Sequence, residues 1–398
     1  ECLLQLTLKS QSPEIKQLCI VMFRQCCQPN NTNQEEWSKI PVSAYSVFQN
    51  GLLTALVQER DLDTYLLLCD AVGTLASRLI PNGYWKNLLS QLLELVNKAN
   101  AASYHKQGFL RVLDCLAEYV IDFLQPHFEN IYNVIQTALK DQNIVIVLAA
   151  YKALVSIVIS IDNAPDLKQW QDLIPLVLKH LNNENEDTLS KLLSHTIDLV
   201  QSRFMLVEPV LDQLLIPVVK IARNDKYAFD TRKLAFETLV VMVDKNAALL
   251  RQHQQYMKNV VELSIYYLSL YDDDIDFKEA ENDAEQDYVW NARNWTQELA
   301  LKLGGKPFLN VATPLLKSGL QSTVWKQCYA SLQTFIQIIP HIKDIKGWTI
   351  PSPDDDEQRQ SSHKKRAKTG GDDSKGSADE AETKTIWDML LPKILDLT

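Results

Sequence analysis

The stretch from Leu62 to Leu79 reads LDTYLLLCDAVGTLASRL, and its apolar residues recur three and four positions apart. That spacing places them on one face of an α-helix, because the helix completes a turn every 3.6 residues. The same rhythm runs through 109–120 and 234–243. The segment 144–148, IVIVL, has the composition of a strand, but helical spacing continues through 149–155, so we predict a helix there too. The sequence predicts an all-α protein.

The predicted helices come in pairs that repeat about every 40 residues, the period of HEAT and armadillo repeats. The second helix of each pair is expected to begin near residues 12, 62, 103, 143, 186, 229, 285 and 322. First helices carry an early proline, which a first helical turn tolerates because its N–H groups lack helical partners. These prolines are Pro41, Pro126, Pro175, Pro209 and Pro307. The predicted fold is an α-solenoid, a superhelix of HEAT repeats whose second helices line a concave binding surface.

We predict one solenoid over residues 1–340, with about eight helix pairs of which the first is incomplete. Within it, 271–287 holds nine carboxylates and one lysine and falls between the two helices of one pair. Residues 341–383 combine low hydrophobicity with high charge and are predicted to be disordered. Residues 384–398 are predicted to form the first helix of the next repeat. Because the chain starts within an apolar pattern and ends abruptly, we interpret it as a fragment of a longer protein.

The composition excludes several classes of function. The 398 residues include 40 Lys and Arg against 50 Asp and Glu, a net charge of −10. This balance argues against direct binding to nucleic acid or acidic membranes and favours basic protein partners. The seven cysteines show no zinc-site spacing, which is typical of a reduced, intracellular protein. The sequence has no 18-residue apolar run, so we predict no membrane insertion.

Motifs for catalysis are missing from the sequence. It contains no Gly-x-x-x-x-Gly-Lys-Ser/Thr loop, no Gly-x-Ser-x-Gly and no His-Glu-x-x-His. Residues 303–306, LGGK, follow a predicted helix rather than a strand, so a helix C-cap explains them better than a phosphate loop. We therefore predict no enzymatic activity, no metal and no cofactor.

Several local patterns between Trp170 and Pro340 resemble the importin beta family of nuclear transport receptors, most closely the importin beta-3 type. LKLGGK at 301–306 is similar to the family's CGLGGK, and ALLRQH at 248–253 to its AMLRKH. The order and spacing of the matches carry the resemblance. They lie at 171–175, 186–193, 231–240, 248–253, 301–306 and 325–332. Residues 1–160 fit the same repeat plan more loosely. Members of this family are much longer, so the resemblance implies an amino-terminal portion without its first helices.

The resemblance implies a monomeric receptor that shuttles between cytoplasm and nucleus and binds basic cargo on its concave surface. In this family the GTP form of Ran binds the amino-terminal repeats and an acidic loop, which releases cargo in the nucleus. Hydrophobic slots between outer helices bind the phenylalanine-glycine repeats of nucleoporins. The alternative is a generic HEAT scaffold, such as a phosphatase regulatory subunit or a microtubule-binding array. A helical-repeat enzyme is the third and remote alternative, because the site residues of an enzyme are missing.

The acidic segment stands where the family has its acidic loop, and clustered carboxylates attract basic partners. Without the family, a solvated solubility loop explains such a run; with it, contact to Ran or cargo is favoured. Phe277 is the nearest aromatic where the family often has a tryptophan. The predicted contact residues are Asp272, Asp273, Asp274, Asp276, Glu279, Glu281, Asp283 and Glu285.

Two further segments suggest peptide recognition. Trp290 and Asn294 are four residues apart, on one helix face, as in the indole and amide arrays that read basic peptides in importin alpha. The competing interpretation, which we prefer, is a core tryptophan beside a surface asparagine. Lys364, Lys365, Arg366 and Lys368 have the composition of a nuclear localisation signal. A charge-balanced linker, or a peptide that occupies a cargo groove of the same chain, are the alternatives for that run.

Overall fold

The computed structural model describes residues 2–28, 37, 39–96, 103–270 and 287–341. Regular structure in these ranges is helical throughout, and none of them contains a strand. The prediction of an all-α solenoid of HEAT repeats is confirmed, including the helix at 144–160 whose first residues resemble a strand in composition. Within these ranges no helix is both long enough and apolar enough to cross a membrane.

The chain divides into two compact units, residues 1–217 and 218–398. The helices of the first unit are α1 (Cys2–Lys9), α2 (Pro13–Cys27), α3 (Val42–Gln58), α4 (Leu62–Leu79), α5 (Leu88–Val96), α6 (Ser103–Leu124), α7 (Phe128–Leu139), α8 (Ile144–Ser160), α9 (Ala164–Lys168), α10 (Ile174–Leu178) and α11 (Glu186–Val207). The division falls within α12 (Leu211–Ala222). The helices of the second unit are α13 (Phe229–Gln252), α14 (Gln254–Leu268), α15 (Asp287–Leu303), α16 (Gly305–Leu320) and α17 (Trp325–Ile338).

The second helix of each pair begins within a few residues of its predicted position. Five successive second helices begin at residues 62, 103, 144, 186 and 229, a spacing of 41 to 43 residues. In the first unit α2, α4, α6, α8 and α11 pack side by side in chain order, and in the second unit α13, α15 and α17 do the same. Each inner second helix of a unit, α4, α6, α8 or α15, therefore packs between its two neighbours.

Capping residues explain where these helices begin. The Asp61 carboxylate accepts a hydrogen bond from the backbone N–H of Thr64 at 2.9 Å, and the Asn185 side chain accepts one from Thr188 at the same distance. Ser12 and Asn143 cap α2 and α8 in the same way. Such side-chain acceptors satisfy N–H groups that have no partner within the helix.

Three second helices bend at the same place. Val120, Arg203 and Asn246 leave helical backbone angles, with φ near −142°, −140° and −151°. Each is the eighteenth residue of its helix, α6, α11 or α13. Arg203 uses this position to donate hydrogen bonds to the carbonyls of Val158, Ile159 and Ile161 at 2.9, 2.8 and 2.6 Å. The arginine thereby closes the carboxyl end of α8, the preceding second helix.

Candidate protein-binding surfaces

The predicted acidic contact residues lie outside the described residues, as do Lys364, Lys365, Arg366 and Lys368. Around the acidic segment, α14 ends at Leu268 and α15 begins at Asp287, and the two helices pack together as one pair. The segment therefore joins the first and second helix of a single repeat. The contact roles of its carboxylates stay predictions.

Trp290 lies on the surface of α15. Its side chain is 63% exposed, and Asn294, one turn further along, is exposed on the same face. The interpretation of Trp290 as a core residue is therefore wrong. An extended peptide can be bound by an apolar ring that lies beside an amide able to hydrogen-bond its backbone. The exposed indole of Trp290 and the amide of Asn294 lie on one face in this way, and their role in peptide binding stays a prediction.

The core tryptophan of α15 is Trp295, only 8% exposed. Its ring packs edge-on against Phe236 of α13 at 5.0 Å and lies 6.2 Å from Tyr267 of α14, measured between ring centroids. Five residues advance a helix by a full turn and about 140° more, so Trp290 and Trp295 point to different sides. Both tryptophans fit a helical pattern, and the sequence alone did not show which one the neighbouring helices cover.

A ladder of charged residues crosses the second helices of the first unit. The Asp70 carboxylate on α4 accepts hydrogen bonds from Arg24 Nη1 on α2 at 3.2 Å and from Arg111 Nη2 on α6 at 2.7 Å; Arg111 Nε also donates to it. On α6, Asp114 pairs with Lys152 Nζ of α8 at 2.9 Å and accepts from the Ser156 hydroxyl. Four successive second helices are thus joined by ion pairs at their solvent-facing edge.

The ladder borders a cavity of about 280 Å³. Its lining comes from α2, α4, α6 and α8 together with Gln28, which directly follows α2. The lining residues are Arg24, Gln28, Asp70, Thr74, Arg111, Asp114, Cys115, Glu118, Tyr119 and Lys152. Burial raises the pKa of the Cys115 thiol to about 11, so this cysteine is a neutral thiol rather than a reactive thiolate near neutral pH. The cavity is equipped to bind charged groups.

Our sequence interpretation missed the ladder, although the repeat register contains its signal. Asp70, Arg111 and Lys152 are the ninth residues of α4, α6 and α8 and lie 41 positions apart. Residues in the same register of neighbouring second helices lie side by side once the helices stack. One acid and two cations at the same position of three successive second helices were therefore the pattern to search for.

A second cavity, of about 610 Å³, lies between the first helices α14 and α16 of the second unit. Its apolar surface comes from Met257, Pro307, Val311, Pro314 and Leu315. Polar groups form the rest of its wall: Arg251, Gln254, Lys258, Glu262 and Asn310. This volume lies within the range of about 300–1,000 Å³ that is usual for ligand pockets. Over the described ranges, no group of three His, Cys, Asp or Glu residues is placed to hold a metal ion.

In a comparison with known protein families, two family models match successive parts of this chain. The first, described as IPO5-like, TPR repeats, matches residues 67–216; the second, described as Importin repeat, matches 224–310. The observed spacing of 41 to 43 residues is the HEAT period rather than the 34 residues usual for TPR repeats.

Individual relatives agree with these models. Importin subunit beta-3 of Saccharomyces cerevisiae is 22% identical over 362 residues, which covers 86% of this chain and 32% of that protein. The structure of Kap121p bound to Nup53p matches 98% of this chain and 35% of its own, with a TM-score of 0.73 and 19% identity. The structure of Kap121p bound to RanGTP matches 88% and 33%, with a TM-score of 0.71 and 20% identity. The chain spans about a third of the length of these relatives.

Stacked helix pairs with solvent-facing charged, aromatic and apolar surfaces define a HEAT-repeat protein suited to binding other proteins. The two adjoining family matches extend over most of the described helices of both units. The chain belongs to the importin beta family, which confirms the resemblance found in its sequence.

The two tryptophans of α15 provide a matched test of this geometry. We expect Trp295→Ala to destabilise the second unit by about 3–5 kcal/mol, because it leaves a cavity against Phe236 and Tyr267. Trp290→Ala should change stability by no more than about 0.5 kcal/mol, because its ring is already in water. Hydrogen exchange of the α15 amides in the two variants measures the difference. Equal loss of protection in both would contradict the placement of the two rings.

Proposed function

We propose that this chain is part of a nuclear transport receptor that binds basic cargo on its second-helix surface and releases it when the GTP form of Ran binds. The receptor acts by binding alone and makes or breaks no bond. It shuttles between cytoplasm and nucleus, with nucleoporins as its third class of partner. Family membership supports this role, and the Kap121p structures are complexes with RanGTP and Nup53p, which are partners of that protein.

One observation carries the proposal. A segment with nine carboxylates ends where α15 begins, and the exposed Trp290 and Asn294 follow within the first two turns of that helix. Carboxylates supply long-range attraction for a basic segment. An exposed indole packs against the aliphatic stems and cationic heads of lysine and arginine, and an amide can hold the peptide backbone. The two features together select an extended basic peptide.

The cavity between α14 and α16 supports the nucleoporin part of the proposal. It lies between two first helices, as expected of a slot for phenylalanine-glycine repeats. Its apolar wall of Met257, Val311 and Leu315 suits a phenylalanine side chain, and its polar rim leaves the peptide backbone in contact with water. A ring held this way gains mainly from the apolar surface that it buries.

Capture on immobilised Ran tests the central step. The chain should bind Ran locked in its GTP form and bind the GDP form at least about tenfold more weakly. Replacing Asp272, Asp273, Asp274 and Asp276 with asparagine should weaken capture by the GTP form about tenfold, because screened attraction between oppositely charged surfaces is lost. Bead-bound protein measured across Ran concentrations gives both values.

The chain offers a control of equal charge. Replacing Asp354, Asp355 and Asp356 with asparagine and Glu357 with glutamine removes the same four charges from another segment and should leave capture unchanged. Equal capture of both nucleotide forms, or of neither, would reject the receptor and favour the generic HEAT scaffold. Equal weakening in both variants would reject the acidic segment as the contact.

The role of Trp290 and Asn294 has its own measurement. The probe is a fluorescein-labelled peptide that contains Lys-Lys-Arg-Ala-Lys, followed by fluorescence anisotropy. The double variant Trp290→Ala, Asn294→Ala should raise its Kd about fivefold or more, because truncating a central aromatic contact costs more than about 1 kcal/mol. Met205→Ala, which also removes an exposed apolar side chain, should have no effect. An unchanged Kd in the double variant would remove these residues from the cargo site.

Beads that carry a phenylalanine-glycine repeat peptide test the cavity between α14 and α16. Leu315→Asn should reduce capture about fivefold, since it places a polar amide on the apolar wall. Ile336→Asn makes the same kind of change at an exposed position of α17 outside the cavity and serves as the control. If a serine-glycine peptide captures the chain equally well, or if capture of the two variants is equal, the cavity does not recognise phenylalanine.

A further inference from the structure

The cavity beside the charged ladder of the first unit has no part in the proposed function. Its cations lie nearer the solvent than the two acids of the ladder: the side chains of Arg24, Arg111 and Lys152 are 40%, 41% and 55% exposed. Those of Asp70 and Asp114 are only 14% and 17% exposed. A partner group that passes the rim therefore meets ammonium and guanidinium groups before it meets Asp70 or Asp114.

After the hydrogen bonds of the ladder have formed, its cations keep N–H donors that can bind a further acceptor. Asp70 already accepts from two guanidinium groups, and Asp114 from an ammonium and a hydroxyl. Within the described part of the chain, Arg24 uses one nitrogen in the ladder, and Lys152 pairs with a single carboxylate. A guanidinium has five N–H donors and an ammonium three, so both keep donors for a further acceptor.

Glu118 is the third acid of the lining and is exposed at its rim. Partial burial, and then the neighbouring Glu118 carboxylate, raise the pKa of Tyr119. Three cations and three acids therefore line the cavity, and the two acids of the ladder already have donors. The carboxylates of the lining repel a doubly charged phosphate more strongly than a singly charged carboxylate.

We propose that this cavity binds the carboxylate of an aspartate or glutamate side chain on a partner protein, held by Arg24, Arg111 and Lys152. The first unit would then select acidic partner segments, in contrast to the basic segments assigned to α15. A guanidinium matches the planar carboxylate with paired N–H donors, and such charge-assisted bonds are the stronger ones in proteins. Asp70 and Asp114 position the cations without competing for the same donors.

The experiment uses a fluorescein-labelled Gly-Glu-Gly-Glu-Gly peptide and fluorescence anisotropy at low salt. Lys152→Met keeps most of the aliphatic stem and removes the charge, so it should raise the Kd about fivefold. Glu118→Gln should lower the Kd about threefold, because it removes the repulsive charge at the rim. Lys152→Arg should bind like the unaltered protein, which separates lost charge from lost folding.

The controls are Lys191→Met on α11 and Glu129→Gln on α7, which make the same charge changes at exposed positions outside the cavity. Equal effects of Lys152→Met and Lys191→Met would overturn the proposal, because binding would then follow net charge alone. Tighter binding of the matching phosphoserine peptide would also overturn it. None of these variants should change capture of the Lys-Lys-Arg-Ala-Lys peptide, so failure here is distinct from failure of the proposed function.

Discussion

Burial between successive second helices is the constraint on which this structure depends. A single helix pair leaves one apolar face in water, and only a neighbouring pair removes that face from solvent. The contact of α4 with α6 shows how closely the helices approach. A Cβ atom built at Gly108 would lie 2.5 Å from Cys69 Sγ and from Tyr65 Cε1, so no side chain fits there. Glycine at this position sets the distance between the two helices.

Close stacking places charged side chains of successive repeats next to one another on the surface. Because Asp70 and Arg111 share one register position, stacking alone brings their opposite charges to within hydrogen-bonding distance. These pairs are partly exposed, so each contributes little to stability, on the order of 0–1 kcal/mol. Their main effect is on geometry: they position the side chains of four helices around one cavity.

The sequence predicted the elements of this fold well and its surfaces poorly, for a physical reason. Helices and their starts follow from local periodicity and from caps such as Asp61 and Asn185, which lie a few residues from the atoms they serve. Neither proline nor glycine occurs at the bends at Val120 and Arg203, so the local sequence does not predict them. The exposure of Trp290 and the pairing of Asp70 depend on neighbours about 40 residues away, which local pattern does not reveal.

A net charge of −10 describes the whole chain but not any one of its surfaces. In the proposed function, the carboxylates of 271–287 attract a basic partner over a distance set by screening, about 8–10 Å at ordinary salt. The ladder acts only at contact, because its acids and cations cancel beyond that range. Long-range attraction therefore decides which partners approach, whereas positioned donors decide which groups stay. A receptor of the proposed kind needs both, since attraction alone would hold every basic segment equally.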